Sequence, residues 1–213
     1  MDSEKPGVFV IGDSISLQYG PHLECMLAGR FDYGRKSGQE QALKDLDIPA
    51  GANGGDSERV LAYVRALQSD GMWQPELLLL NCGLHDLKTD PATGEKQVPL
   101  ERYRSNLRAI LDLLAGGGVP VVWVRTTPVD DRTHSAAEKS FHRFAADVDA
   151  YNRAADEIMS SAGVAVADLH SLTASLGGPS EIFRDHVHFP AWVQRLQAAY
   201  LVGVVEMWFA AVG

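Results

Sequence analysis

Val8-Phe9-Val10-Ile11-Gly12-Asp13-Ser14-Ile15-Ser16 reads as a strand running into a helix. Val8, Val10 and Ile11 are β-branched, and with Phe9 they suit a short buried strand. Gly12 breaks the run, and Asp13-Ser14 stand where such a strand would emerge. Leu17 to Ala28 follows as a helix. A strand that turns into a helix here places a small side chain at the sheet's carboxyl edge, where open α/β sheets bind ligands. It also aims the first backbone N–H groups of the helix at whatever sits there. Ser14 then has two readings. It is a nucleophile with an anion-stabilising donor beside it, or it caps the helix.

Working outward, the alternation continues. Arg30 to Arg35 is a candidate second strand, and Gln39 to Leu46 a candidate short helix. A glycine-rich turn, Gly51-Ala52-Asn53-Gly54-Gly55-Asp56-Ser57, leads into a helix with apolar residues at Val60, Leu61, Val64 and Leu67. Asp56 or Ser57 would cap it. Leu77 to Asn81 is the third strand and ends in Cys82-Gly83-Leu84-His85-Asp86. Lys88 to Val98 is a polar excursion with turn signals at Asp90-Pro91 and Thr93-Gly94, which suggests a small hairpin or flap. Pro99 opens a helix with Leu100, Tyr103, Leu107, Ile110, Leu111 and Leu114 on one face. The glycines at 116 to 118 stop it; they are not a phosphate cradle. Val119 to Val124 is the fourth strand, and Arg125 to His134 a polar loop leaving its carboxyl end. Ser135-Ala136-Ala137-Glu138 has the capping-box pattern. Phe141, Phe144, Val148, Tyr151, Ala155 and Ile158 then predict a helix that Gly163 ends. Val164 to Leu169 is the fifth strand. A loop through Gly177-Gly178-Pro179 reaches Asp185-His186-Val187-His188, and Pro190 starts the last helix.

Strands alternating with helices predict a parallel sheet covered on both faces. No repeat or linker interrupts the pattern, so residues 1–213 read as one domain of ordinary size. Ser14, Gly55, His85, the loop from Arg125 and the tail from Asp185 all fall at one edge of such a sheet. The net charge of −9, without a basic stripe, argues against a nucleic-acid partner. Cys25 and Cys82 make no disulfide framework. No signal or transit peptide is evident, which makes the cytoplasm the expected compartment. Gln194, Arg195, Gln197 and Glu206 interrupt the apolar C-terminal stretch. The expectation there is a core-packed helix with Trp208 and Phe209 at the surface or in a homo-oligomer interface, not a membrane span.

The chemistry rests on Ser14, Asp185 and His188. A serine hydroxyl is a poor nucleophile until a base removes its proton. An imidazole can do this when a carboxylate fixes its tautomer and supports its cation. A spacing of three residues lets one loop present both. His186, its side chain on the other face of an extended segment, is not expected to be the base. Asp13 and Asp86 read as carboxylates that accept backbone N–H bonds in their turns, and Asn81 as a third acceptor of the same kind. Arg125, Arg132 and Arg184 are solvated charges or contacts to an acidic or sugar substrate.

Gly12-Asp13-Ser14-Ile15-Ser16, Gly55 within its glycine turn, Gly83-Leu84-His85-Asp86 and Asp185-His186-Val187-His188 together resemble, in order, the four motif blocks of the SGNH (GDSL) hydrolases. These are serine esterases and acylhydrolases. The resemblance implies a flavodoxin-like three-layer α/β/α sandwich with a five-stranded parallel sheet. It implies Ser14 as nucleophile, His188 as base and Asp185 as its orienter. It also implies an oxyanion hole from the N–H groups of Ser14 and Gly55 plus a third-block side chain. That third position is usually asparagine and here is His85. An imidazole N–H can also donate, with its tautomer set by a neighbour such as Asp86. The expected substrate is a small-molecule ester, a short acyl group on a sugar or other alcohol, and no cofactor or metal is needed. The same site could pass the acyl group to another alcohol. Two other readings stand beside it. Asp13, His85, Asp86, Asp185, His186 and His188 could be ligands of a metal-dependent hydrolase, or the chain could be a binding module on a degenerate esterase scaffold.

Overall fold

The computed structural model describes residues 5–71, 73–132 and 140–212. Five parallel strands form one sheet in the order β2-β1-β3-β4-β5. They are β1 Gly7–Ile11, β2 Asp32–Arg35, β3 Leu77–Leu80, β4 Val121–Val124 and β5 Ala165–Ala167. The central strand β3 is four consecutive leucines, all fully buried, as a strand covered on both faces must be. Helices α1 (Ser14–Leu27) and α8 (Ala191–Val212) pack together, with α6 (Leu169–Ser175) against α8. Helices α3 (Ser57–Asp70), α4 (Leu100–Gly116) and α5 (Ala145–Ser161) pack as a second group. Short helices α2 (Gln39–Ala42) and α7 (Pro179–Ile182) lie in loops. This is the expected α/β/α sandwich. Its strand order reverses between β1 and β3, and ligands bind at the carboxyl ends of strands at such a switch point.

Several expected elements change. The first helix starts at Ser14, three residues before Leu17, because Asp13 caps it: Asp13 Oδ1 accepts the Ile15 N–H at 2.9 Å. Pro21 is accommodated inside this helix. The predicted helix through Phe141 and Phe144 begins only at Ala145. Residues ahead of it are extended instead, since His142 exchanges two backbone hydrogen bonds with Thr89, each 2.8 Å. Phe141 and Phe144 therefore continue the helical period by coincidence. The Ser135–Glu138 capping pattern and His134 lie outside the described residues. β2, β4 and β5 are shorter than expected, and the second helix ends at Ala42.

The excursion at 88–98 is a small hairpin. Thr89 bridges Lys96, the Asp90 N–H donates to Glu95, and Asp90 Oδ1 accepts from Ala92 and Thr93. Its base is tied to the segment before α5 by Lys88 Nζ, 4.2 Å from the Phe141 ring centroid, and to α5 itself by Lys96 paired to Asp147. Helix α8 buries Val193, Gln197, Ala198, Leu201 and Val205 and exposes Trp192, Leu196, Met207 and Val212. By length and composition alone it is also apolar enough to cross a membrane. Phe209 stacks on Phe31, with ring centroids 5.0 Å apart.

Candidate active site

The β1–α1 turn is built to present one hydroxyl. Gly12 packs so tightly that a Cβ there would lie 2.8 Å from Ser16 Cβ. Its carbonyl accepts the Gly54 N–H at 2.9 Å, which ties the first turn to the glycine turn. Asp13 is the N-cap, so Ser14 does not serve as the cap. Ser16 Oγ donates to the Asp13 carbonyl at 2.7 Å. Ser14 occupies the first helical position, where backbone N–H groups have no intrahelical acceptor. Its Oγ lies 3.0 Å from His188 Nε2, across 174 residues of sequence. Both residues are under 5% exposed.

His188 Nδ1 lies 2.8 Å from Asp185 Oδ2. Asp185 Oδ1 accepts the N–H groups of Val187 and His188, each at 2.9 Å. Partial burial would raise the Asp185 carboxyl. The hydrogen bond from His188 and the two backbone N–H donors outweigh it and hold the group well below the usual carboxylate range. An ionised carboxylate only accepts, so His188 carries its proton on Nδ1. Its Nε2 lone pair is then directed at the Ser14 hydroxyl. The arrangement can take a proton from Ser14 and hold the resulting imidazolium. Burial pushes the neighbouring Asp13 carboxyl up, against the pull of the Ile15 N–H and of the Arg143 charge.

The carboxyl end of β3 carries the Gly83-Leu84-His85-Asp86 turn. Gly83 has φ +152° and would place a Cβ 2.4 Å from Thr126 Oγ1, so the close approach of two loops requires glycine. His85 is fully buried, and neither ring nitrogen has a hydrogen-bond partner among the described residues. Burial, helped by the Lys88 and Arg143 charges, pushes this imidazole well below its ordinary value, so it is neutral. Asp86 does not orient it. Both Asp86 oxygens instead accept the Ser57 N–H at the start of α3, at 2.9 and 3.0 Å. Burial pushes the Asp86 carboxyl up to about 8 despite those bonds. Asn81 is a donor, not an acceptor: its Nδ2 gives 2.8 Å to the Val124 carbonyl and 3.3 Å to Thr126 Oγ1.

Gly55 has φ +74°, the left-handed region that favours glycine. Its N–H donates to Asn53 Oδ1 at 3.0 Å within the turn. Arg125 is held by Asp168 at 2.8 Å and Asp156 at 3.2 Å. Arg132 is exposed, and the Arg184 N–H donates to the His188 carbonyl at 2.8 Å. Among the described residues no three His, Cys, Asp or Glu side chains are grouped to hold a metal ion. Surface grooves of about 410 Å³ between α4 and α5 and about 590 Å³ between β5 and α8 lie away from Ser14.

Sequence reasoning missed Arg143 and Asp47, which flank His186. Arg143 is buried, with Nη1 3.3 Å from both Asp47 Oδ1 and His186 Nε2. No local signal in the sequence marked either one, since Phe141 and Phe144 stand three apart and their spacing reads as helix.

Fold and side-chain geometry together define an α/β sandwich with a serine, an imidazole and a carboxylate in line at the switch point. Residues 10–210 match the GDSL-like lipase/acylhydrolase family, and the chain belongs to that family. Its members are in general ester hydrolases. The fold is shared with a lipase/acylhydrolase from Enterococcus faecalis at TM-score 0.69 and 16% identity, over 94% of this chain and 95% of that one. It is shared with an acetyl xylan esterase at TM-score 0.66 and 14% identity, over 93% and 99%. A psychrotrophic esterase from Pseudoalteromonas sp., solved with monoethylphosphonate as inhibitor, matches at TM-score 0.65 and 13% identity, over 97% and 100%. No curated protein sequence matches the chain.

Proposed function

We propose that the protein is a serine esterase that cleaves a short acyl group from a sugar or other alcohol. The contact of His188 with both Ser14 and Asp185 carries this reading. Ser14 Oγ attacks the acyl carbon as His188 Nε2 takes its proton. The tetrahedral intermediate collapses, and the alcohol leaves with that proton. Water then attacks the acyl-enzyme, giving a proton to His188, which returns it to Ser14 as the acid departs. Asp185 stays ionised throughout and steadies the imidazolium.

The developing oxyanion takes the Ser14 N–H, at the open end of α1, and the neutral His85 N–H in place of the usual asparagine amide. The Gly55 N–H joins them once it leaves Asn53. The buried, unpartnered ring of His85 supports its role, since a buried polar group without a partner is costly and needs a reason. A short acyl group fits a serine and histidine that are nearly closed from solvent. The acetyl xylan esterase among the structural relatives supports an acylated sugar.

The test is an aryl acetate assay beside labelling with a serine-directed phosphonate and mass mapping of the adduct. Hydrolysis with the label on Ser14 is expected. Activity removed by a chelator, with no label, would instead make this a metal-dependent enzyme. A protein that neither hydrolyses nor labels would be a binding module.

A further inference from the structure

Arg143 touches three loops of the site with one guanidinium. Its Nε donates to the Leu84 carbonyl at 2.8 Å, and its Nη1 lies 3.3 Å from both Asp47 Oδ1 and His186 Nε2. Leu84 belongs to the turn after β3, Asp47 to the loop that leads to the glycine turn, and His186 to the loop of Asp185 and His188. A guanidinium donates and never accepts. His186 Nε2 must therefore present its lone pair to Arg143. The ring proton then sits on Nδ1, which faces Asp185 Oδ1 at 3.6 Å. Asp47 Oδ1 at 3.7 Å from Nε2 and Asp185 Oδ1 at 3.6 Å from Nδ1 are both beyond hydrogen-bond range, so among the described residues the arginine contact is the one that favours this tautomer.

We propose that Arg143 is a positioning residue for the Ser14 chemistry, a role that rests on the esterase reading above. Through His186 it turns an N–H, not a lone pair, toward the carboxylate that orients His188. A lone pair there would repel Asp185. Through the Leu84 carbonyl it holds the peptide plane whose other half is the His85 N–H, and so fixes where that ring stands. One buried charge thus sets both the proton-transfer side and the oxyanion side. Asp47, Asp13 and Asp185 attract this charge, Lys88 and His85 lie in its field, and the His186 and His188 ring centroids are 6.2 Å apart.

The test combines kinetics with ¹⁵N-histidine NMR on Arg143→Met, Arg143→Lys and His186→Gln, each checked for a cooperative melt. In the unmodified protein His186 should show a protonated Nδ1 and an unprotonated Nε2. R143M should lose that tautomer and lower kcat by about tenfold to 10²-fold with KM within about twofold. R143K keeps a donor and should recover part of the loss. If R143M does not fold, His186→Gln carries the comparison, with an expected drop in kcat of about three- to tenfold at unchanged KM. An active protein whose R143M kcat, or failing that its H186Q kcat, stays within about twofold overturns this inference alone. So does a His186 protonated on Nε2. An unmodified protein inert to both ester and phosphonate overturns the esterase reading and this one with it.

Discussion

The loop holding Asp185 and His188 and the turn holding His85 both stand at the carboxyl edge of the sheet, but their polar atoms are used differently. In the first, His188 is bonded at both ring nitrogens, and Asp185 accepts from its own loop and from the ring. In the second, a fully buried imidazole has no hydrogen-bond partner at either nitrogen among the described residues. A group that must move a proton is best held in place beforehand. A group that must meet a charge absent from the resting enzyme keeps a donor in reserve. On the proposed esterase reading, the resting protein is finished on its proton-transfer side and waits for substrate on the other.

The largest effect should come from the finished side. Ser14→Ala or His188→Ala should lower kcat by about 10⁴-fold or more in the aryl ester assay. A residual rate within tenfold of the parent would break the comparison at its first term. On the waiting side, His85→Ala should lower kcat by about 10²–10³-fold with little change in KM, and His85→Asn should restore most of it. An unchanged kcat would make His85 a packing residue.

Asp86 sharpens the contrast through stability. Its folded carboxyl is raised to about 8, so the folded protein keeps a proton that the unfolded chain releases above its ordinary value near 4. This contribution is complete below that value, is lost as pH rises toward 8, and is level beyond. The unfolding free energy from urea titrations should fall across pH 5 to 8 by about 3–4 kcal/mol, and Asp86→Asn should flatten that decline. A slope that survives the substitution would assign it to other groups. The smallest effect belongs to Asn53. Asn53→Ala removes the acceptor of the Gly55 N–H and should cost about 0.5–1.5 kcal/mol in urea unfolding. If Gly55 serves the oxyanion, KM and kcat should hold or improve, because its N–H no longer has to leave a partner.

Much of this molecule is legible in its sequence. Val8 to Ile11 and the leucines from 77 to 80 announce buried parallel strands, because only a strand covered on both faces tolerates unbroken apolar runs. The face formed by Tyr103, Leu107, Ile110 and Leu114 did the same for α4. The segment before α5 departs from its helical spacing because aromatic spacing is a local signal. The pairing of His142 with Thr89 joins residues more than fifty apart, which no periodicity can report.

The chain order of residues determined the strand and helix alternation, the glycines at tight turns and the types of side chain gathered at one edge, since each follows from short-range sterics and from burial of apolar runs. Only the tertiary structure decided that His188 reaches Ser14, that Asp86 serves α3 and not His85, that Asn53 occupies the Gly55 N–H, and that Arg143 lies inside. Hydrogen bonds act over about 3 Å, and which donor meets which acceptor depends on how distant loops pack, a quantity that no single stretch of sequence contains.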